Sequence, residues 1–227
     1  MVITLHINPT QPHQREHGEW FKAGFKRHGL TCTVTTSIYA DGDVHLVSGP
    51  HYAKKHWIGK PNVILLDKRY YKEGEKPHGM ASDPYVSLGW MNEHGGRGFR
   101  VGSGKKPPEI GQNHGTGTIF LGDYNGKTHE ADTIRLHPMN KTYSEPLTAA
   151  LSRHHKAIGY RTTALVKAAL MGLEVECLDP ENIIYQPNWR ELLPYADWHY
   201  SEIESGEAWE HLWDSRLHQP RLSNPSP

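Results

Sequence analysis

Ala157-Ile158-Gly159-Tyr160-Arg161-Thr162-Thr163-Ala164-Leu165-Val166-Lys167-Ala168-Ala169-Leu170-Met171-Gly172-Leu173-Glu174-Val175 holds a complete strand, turn, helix, turn and strand start in one short run. Ala157-Ile158-Gly159 is a small apolar run of the kind a fully buried strand needs. Thr162 and Thr163 follow as residues that cap helices, and Thr163 to Met171 carries apolar residues on one helical face. Gly172 stands where a left-handed C′ residue ends such a helix, and Val175 to Leu178 begins the next strand. A strand followed by a crossover helix and a second strand implies a parallel sheet. The first turn of the helix would offer unpaired N–H groups, two hydroxyls and the flanking Arg161. Those are the groups a phosphate or diphosphate requires. The same residues equally describe an ordinary capped helix in an α/β domain.

Working outward, Ile134-Arg135-Leu136-His137-Pro138 reads as a strand that stops at His137, with the proline fixing the exit. Thr118 to Leu121 is another strand, and Pro146 to His154 a helix. Towards the N-terminus, Val2 to Ile7 is a strand, and Pro12 to Gly29 a helix carrying Trp20, Phe21 and Phe25. Leu30 to Thr36, Asp43 to Val47, Asn62 to Leu66 and Tyr85 to Leu88 are further short strands. Continuous apolar runs separated by helices or loops indicate parallel sheets covered on both faces. Gly102 to Gly117, with Lys105-Lys106-Pro107-Pro108, has no periodicity and reads as a linker. The predicted fold is α/β, with two Rossmann-like halves facing a cleft. Their expected spans are 1–110 and 111–205, with a C-terminal extension over 206–227.

Composition narrows the functional classes. The 227 residues suffice for a substantial core, and Lys+Arg equals Asp+Glu at 25 each, so a polyelectrolyte that coats nucleic acid is excluded. Cys32 and Cys177 form no CxxC pair, which speaks against a zinc knuckle or a redox pair. The 17 histidines are scattered, without HExxH spacing, and no metal site is expected. No apolar run approaches a membrane span and MVITLHINPT lacks a basic leader, so a cytoplasmic protein without membrane attachment is expected.

Together, the strand ending in His-Pro, the Thr pair with its helix and the following Gly-x-x-Val strand resemble the donor-binding half of GT-B glycosyltransferases. The resemblance is to the capsule and polysialic-acid type and to phage-encoded, DNA-modifying relatives. Weaker echoes are Gly49-Pro50-His51, the glycine-rich loop Gly95-Gly96-Arg97-Gly98, and Ile203-Glu204-Ser205-Gly206-Glu207-Ala208-Trp209. The resemblance implies that 1–110 is an acceptor half and 111–205 a nucleotide-sugar half. His137, Thr162 and Thr163 would hold donor phosphates, with Arg161 beside them. Lys167 stands where many relatives have a carboxylate, so it would meet a phosphate or a carboxylated sugar. Glu174 replaces a common proline. No cofactor is implied; the co-substrate would be a nucleotide sugar, UDP-linked in the simplest case.

Transfer to a hydroxyl needs a general base, and His137 would also stabilise the leaving diphosphate. Asp67, after the strongest apolar run, is the first candidate base and His17 the second, followed by Glu93 and His94. Trp90, Glu93, His94 and Arg97 are the expected acceptor contacts. The clusters Lys54-Lys55-His56, Lys68-Arg69, Arg97 with Arg100, Lys105-Lys106 and Arg153-His154-His155-Lys156 read as solvated faces. Several of the basic clusters nonetheless lie beside aromatics, which permits DNA as acceptor, and with no secretion or membrane signal in the sequence the favoured acceptor is a hydroxymethylated pyrimidine in DNA. The chain is short for the fold this resemblance implies, which suggests either a pared-down version or a homodimer that completes the acceptor site. Two rival functions remain open: nucleotide binding without turnover, and an epimerase or hydrolase acting on a nucleotide sugar.

Overall fold

The computed structural model describes residues 1–48, 56–68, 83–91, 100, 104–123, 126–138, 140–160, 162–180 and 182–217. The described strands are β1 (Val2–His6), β2 (Thr31–Thr35), β3 (Val44–Ser48), β4 (Val63–Lys68), β5 (Tyr85–Trp90), β6 (Thr118–Leu121), β7 (Thr133–Arg135), β8 (Lys156–Gly159), β9 (Glu174–Cys177) and β10 (Asp197–His199). The α-helices are α1 (Pro12–Arg27), α2 (Leu147–Leu151), α3 (Ala164–Leu170), α4 (Trp189–Leu192), α5 (Tyr200–Glu204) and α6 (Glu207–Leu217). None of the described helices is long and apolar enough to cross a membrane. Contacts divide the chain into two units. The first comprises the described residues of Met1–Arg69, Gly74–Arg100 and Asp197–Pro227, the second those of Val101–Ala196.

The first unit is a six-stranded sheet in the order β10-β5-β4-β3-β1-β2. Helix α1 forms because Pro12 presets its first turn and because His17, Trp20, Phe21, Gly24 and Phe25 recur on one face. It stops where Gly29 takes φ 66°, which lets the Leu30 N–H reach back to the Phe25 carbonyl at 3.0 Å. Its buried face covers Ile3, Leu5, Val44, Leu46, Ile64 and Leu66 on one side of the sheet, together with Ile203, Ala208, Trp209 and Leu212 from α5 and α6. On the other side Val47, Val63 and Leu65 lie under Trp57, with Ile38 and Met91 at the margin.

One feature departs from the sequence expectation. β1 to β4 are parallel, but β5 runs antiparallel to β4, and β10 antiparallel to β5, so this sheet is mixed. A continuous apolar run reports burial on both faces and carries no sign of direction, so the reversal was not readable. The described residues 197–217 also group with the first unit, and the described residues 104–196 form the second. β10 has three residues, too few for a period. What fastens it is the Arg100 guanidinium, which lies 3.6 Å over the Trp198 ring, donates to the Asp197 carbonyl at 2.9 Å and pairs with Glu202 at 3.0 Å.

The second unit is an all-parallel four-stranded sheet, β7-β6-β8-β9. Ile119, Leu121, Ala157, Leu165, Ala168, Leu151 and Leu173 form its core. The chain places β7 on one side of β6 and β8 on the other, which creates a topological switch at the carboxyl ends. Both units are therefore Rossmann-like, in agreement with the α/β expectation.

Helix α1 meets α5 without room for a side chain at Gly24, where an added Cβ would overlap the Ile203 carbonyl oxygen. Backbone cannot rotate aside as a side chain does. Gly24→Ala is expected to lower unfolding free energy by about 3 kcal/mol, read from urea unfolding. A wild-type midpoint would mean that α1 and α5 do not pack as described.

Candidate functional site

The sequence places four chain reversals at one edge of the second sheet. Because all its strands are parallel, β6 ends at Gly122-Asp123, β7 at Leu136-His137, β8 at Tyr160 and β9 at Leu178-Asp179, all at the carboxyl edge. Register ties the ends together, since Leu121 pairs with Arg135 on one side and with Gly159 on the other. Gly122 allows the approach: its N–H donates to the Arg135 carbonyl at 2.8 Å, and an added Cβ would stand 2.9 Å from Leu136 Cα and 3.1 Å from the His137 nitrogen. At Gly159 an added Cβ would stand 2.9 Å from the Leu121 carbonyl oxygen.

His137 and the Thr162-Thr163 pair thus leave the same sheet edge, on either side of β6. His137 is half-buried, and its carbonyl turns the following loop by accepting the Asn140 N–H at 2.8 Å. Thr162 is half-buried and Thr163 exposed. The local geometry differs from a side-chain-capped helix. Thr163 is the N-cap of α3 but is itself in helical conformation and makes no capping bond; the Thr162 hydroxyl oxygen instead accepts the Ala164 N–H at 3.2 Å. α3 is also only seven residues long, so its dipole is small. Any anion here would be held by hydroxyls, loop amides and side chains rather than by the helix end. Lys167 is exposed one turn into α3. Arg161 lies outside the described residues.

Sequence reasoning missed Asp123 and Asn182. Asp123 is 2% exposed at the end of β6, with its Oδ1 accepting the Lys127 N–H at 3.2 Å. The signal was available, because Asp123 follows an apolar strand as Asp67 does. Lys127 turns back over the Tyr160 ring, with its ammonium 4.6 Å from the centroid, so a cation and an aromatic face lie beside the β8 end. Among the described residues no group of three or more His, Cys, Asp or Glu side chains could hold a metal ion.

The expected acceptor-side residues are distributed differently. Asp67 is half-buried within β4, opposite Ser87, on the face that Trp57 covers. Trp90, expected to stack on an acceptor, is a core residue: it is 6% exposed and its indole N–H donates to the Leu212 carbonyl at 2.6 Å. An aromatic after a strand reads alike in either role, and α6, which claims this ring, lies far along the chain. Glu93, His94 and Arg97 lie outside the described residues, as do Gly49-Pro50-His51. His17 is not a surface base; it is 8% exposed on α1 against Trp20, at 5.0 Å between ring centroids.

No protein-family model matches the sequence, and no curated protein matches it. The chain is similar to a solved structure described as Thermosulfurimonas dismutans KpsC, beta Kdo 2,7 transferase, with 10% sequence identity, a TM-score of 0.48, and coverage of 96% of this chain and 99% of that chain. At that TM-score the likeness carries no argument about chemistry.

Burial, reinforced by His13, pushes His17 down to about 4 from an ordinary 6.5, against a weaker upward pull from Glu16. His17 Nδ1 also has no hydrogen-bond partner among the described residues. Between those two pH values the unfolded chain binds a proton that the native imidazole refuses. The contribution of His17 is therefore complete above pH 6.5 and is lost as pH falls through the window to 4, on the order of 3 kcal/mol in total. His17→Leu is expected to flatten this part of the stability profile relative to wild type, measured by urea unfolding at half-unit pH steps. Parallel profiles for the two proteins would show that His17 is solvated.

Proposed function

We propose that the protein transfers a glycosyl group from a nucleotide-activated donor to a hydroxyl, with the donor phosphates at the carboxyl edge of the second sheet. The observation that carries this reading is the common edge: the two motifs that resemble GT-B donor-site motifs, His137-Pro138 and Thr162-Thr163, flank the end of one strand, β6. Neighbouring parallel strands lie about 4.8 Å apart, so β7 and β8 ends stand roughly 10 Å from each other, a span that a phosphate-linked sugar bridges.

In this reading the donor's phosphate oxygens accept from the Thr162 and Thr163 hydroxyls and from the loop amides. As the bond from the anomeric carbon to phosphate oxygen breaks, negative charge collects on the departing phosphate. An imidazole N–H of His137 aimed at that charge is worth more in the transition state than in the ground state. Lys167 supplies a positive charge one helical turn away. The acceptor is a hydroxyl compound, and hydroxymethylated pyrimidine in DNA stays among the acceptors to be tested, although Trp90 no longer supports it. Neither expected base is assigned the acceptor proton: His17 is buried on α1, and Asp67 is half-buried on the face of β4 that Trp57 covers.

The test mixes the protein with a panel of nucleotide sugars, alone and with hydroxyl acceptors including hydroxymethylated DNA and oligosaccharides, and reads products by mass spectrometry. A glycosyl mass on an acceptor is expected. His137→Ala is then expected to lower turnover by roughly 100-fold or more, and wild-type turnover by that variant would remove His137 from the chemistry. Unchanged nucleotide sugars across the panel would overturn the reading in favour of binding without turnover. A hydrolysed or epimerised donor with every acceptor unmodified would favour an enzyme that uses the donor alone.

A further inference from the structure

Asn182 opens the short 3-10 turn Ile183–Tyr185 after β9, and it is 3% exposed. A buried carboxamide is costly unless each of its groups is satisfied. Here its Nδ2 donates to the Tyr160 carbonyl at 3.2 Å and to the Thr162 carbonyl at 3.1 Å, and its Oδ1 accepts the Ile184 N–H at 3.2 Å. Both amide hydrogens therefore end on the loop that joins β8 to α3. The Cys177 thiol approaches the same Tyr160 carbonyl at 3.8 Å.

The consequence follows from peptide geometry. A trans peptide is planar with its C=O and N–H pointing in opposite directions. The Thr162 carbonyl accepts from Asn182 and also from the Leu165 N–H at 3.3 Å, so the Thr163 N–H of the same peptide points away from Asn182. Among the described residues no hydrogen bond engages the Thr163 amide or its hydroxyl, and Thr163 is exposed. The Thr162 hydroxyl oxygen already accepts from Ala164 and keeps its own proton to donate.

We infer that Asn182 is a positioning residue: by holding the carbonyls of Tyr160 and Thr162, it turns the Thr163 amide and the two threonine hydroxyls towards a nucleotide phosphate. This rests on the proposed donor site. Asn182 itself touches no ligand in this arrangement. An Asp of identical shape cannot donate and would set a carboxylate against two carbonyl oxygens, so the loop peptide would turn and its donors would lose their common direction.

The test is calorimetric titration of the wild type, Asn182→Asp and Leu151→Ala with UDP, CMP and GDP, with melting temperatures measured in parallel. Leu151 is fully buried in the same unit's core and its side chain makes no hydrogen bond, so its truncation reports general destabilisation. Nucleotide binding by the wild type, weakened tenfold or more in Asn182→Asp and unchanged in Leu151→Ala, is the expected result. Equal affinity of Asn182→Asp and wild type would overturn the positioning role while leaving the donor site standing. Equal weakening by Leu151→Ala would reduce Asn182 to a structural residue and overturn the inference too. Failure of the wild type to bind any of the three nucleotides would overturn both the donor site and the inference. Should Asn182→Asp not fold, Asn182→Ser, which keeps one donor, is expected to lose affinity several-fold, and an unchanged value would be decisive against the role.

Discussion

Strand β6 is hydrogen-bonded in parallel on both sides, and that double pairing is the constraint on which the second unit depends. Leu121 is in register with Arg135 and with Gly159, so three strands finish at one level. Gly122 and Gly159 then remove the side chains that would force those ends apart. A hydroxyl pair, an imidazole and a buried carboxylate therefore follow strand ends at the same edge of the sheet. Each sits where a parallel strand must hand over to a loop, which is also where the backbone has donors left to give.

Most of this was legible in the sequence because it is local. Ala157 to Val175 contains its own strand, turn, helix and stop, and β8, α3 and β9 fall where that stretch places them, to within a residue or two. Gly172 adopts φ 86°, as a helix-ending glycine should. The unread part is non-local. The direction of β5, the return of β10 to the first sheet and the burial of Trp90 all depend on partners dozens of residues away. Asn182 belongs to the same class: a lone Asn before an apolar pair reads as a turn, and only the folded chain brings it under the β8 loop.

The first unit shows how strongly packing governs charge. His6, 5% exposed, donates from Nδ1 to the Ser37 carbonyl at 2.9 Å, since a carbonyl can only accept. Burial lowers the proton affinity of His6, and of His45 likewise, and His6 Nε2 is hydrogen-bonded with His45 Nδ1 at 3.0 Å. Trp57 lies across both rings at 4.8 Å between centroids. His6 and His17 are buried and His45 half-buried, and burial lowers the proton affinity of all three. The abundance of histidine in the composition thus gives little indication of how much titratable surface the molecule offers.

The central claim is that phosphate chemistry belongs to the carboxyl edge of the second sheet. Titrating isotope-labelled protein with UDP, CMP and GDP while following backbone amide chemical shifts tests it most directly. The account requires the largest shifts at Gly122, Asp123, His137, Thr162 and Thr163, with β2 and α1 unmoved. Shifts confined to the first unit, or to the opposite edge of the second sheet, would contradict it.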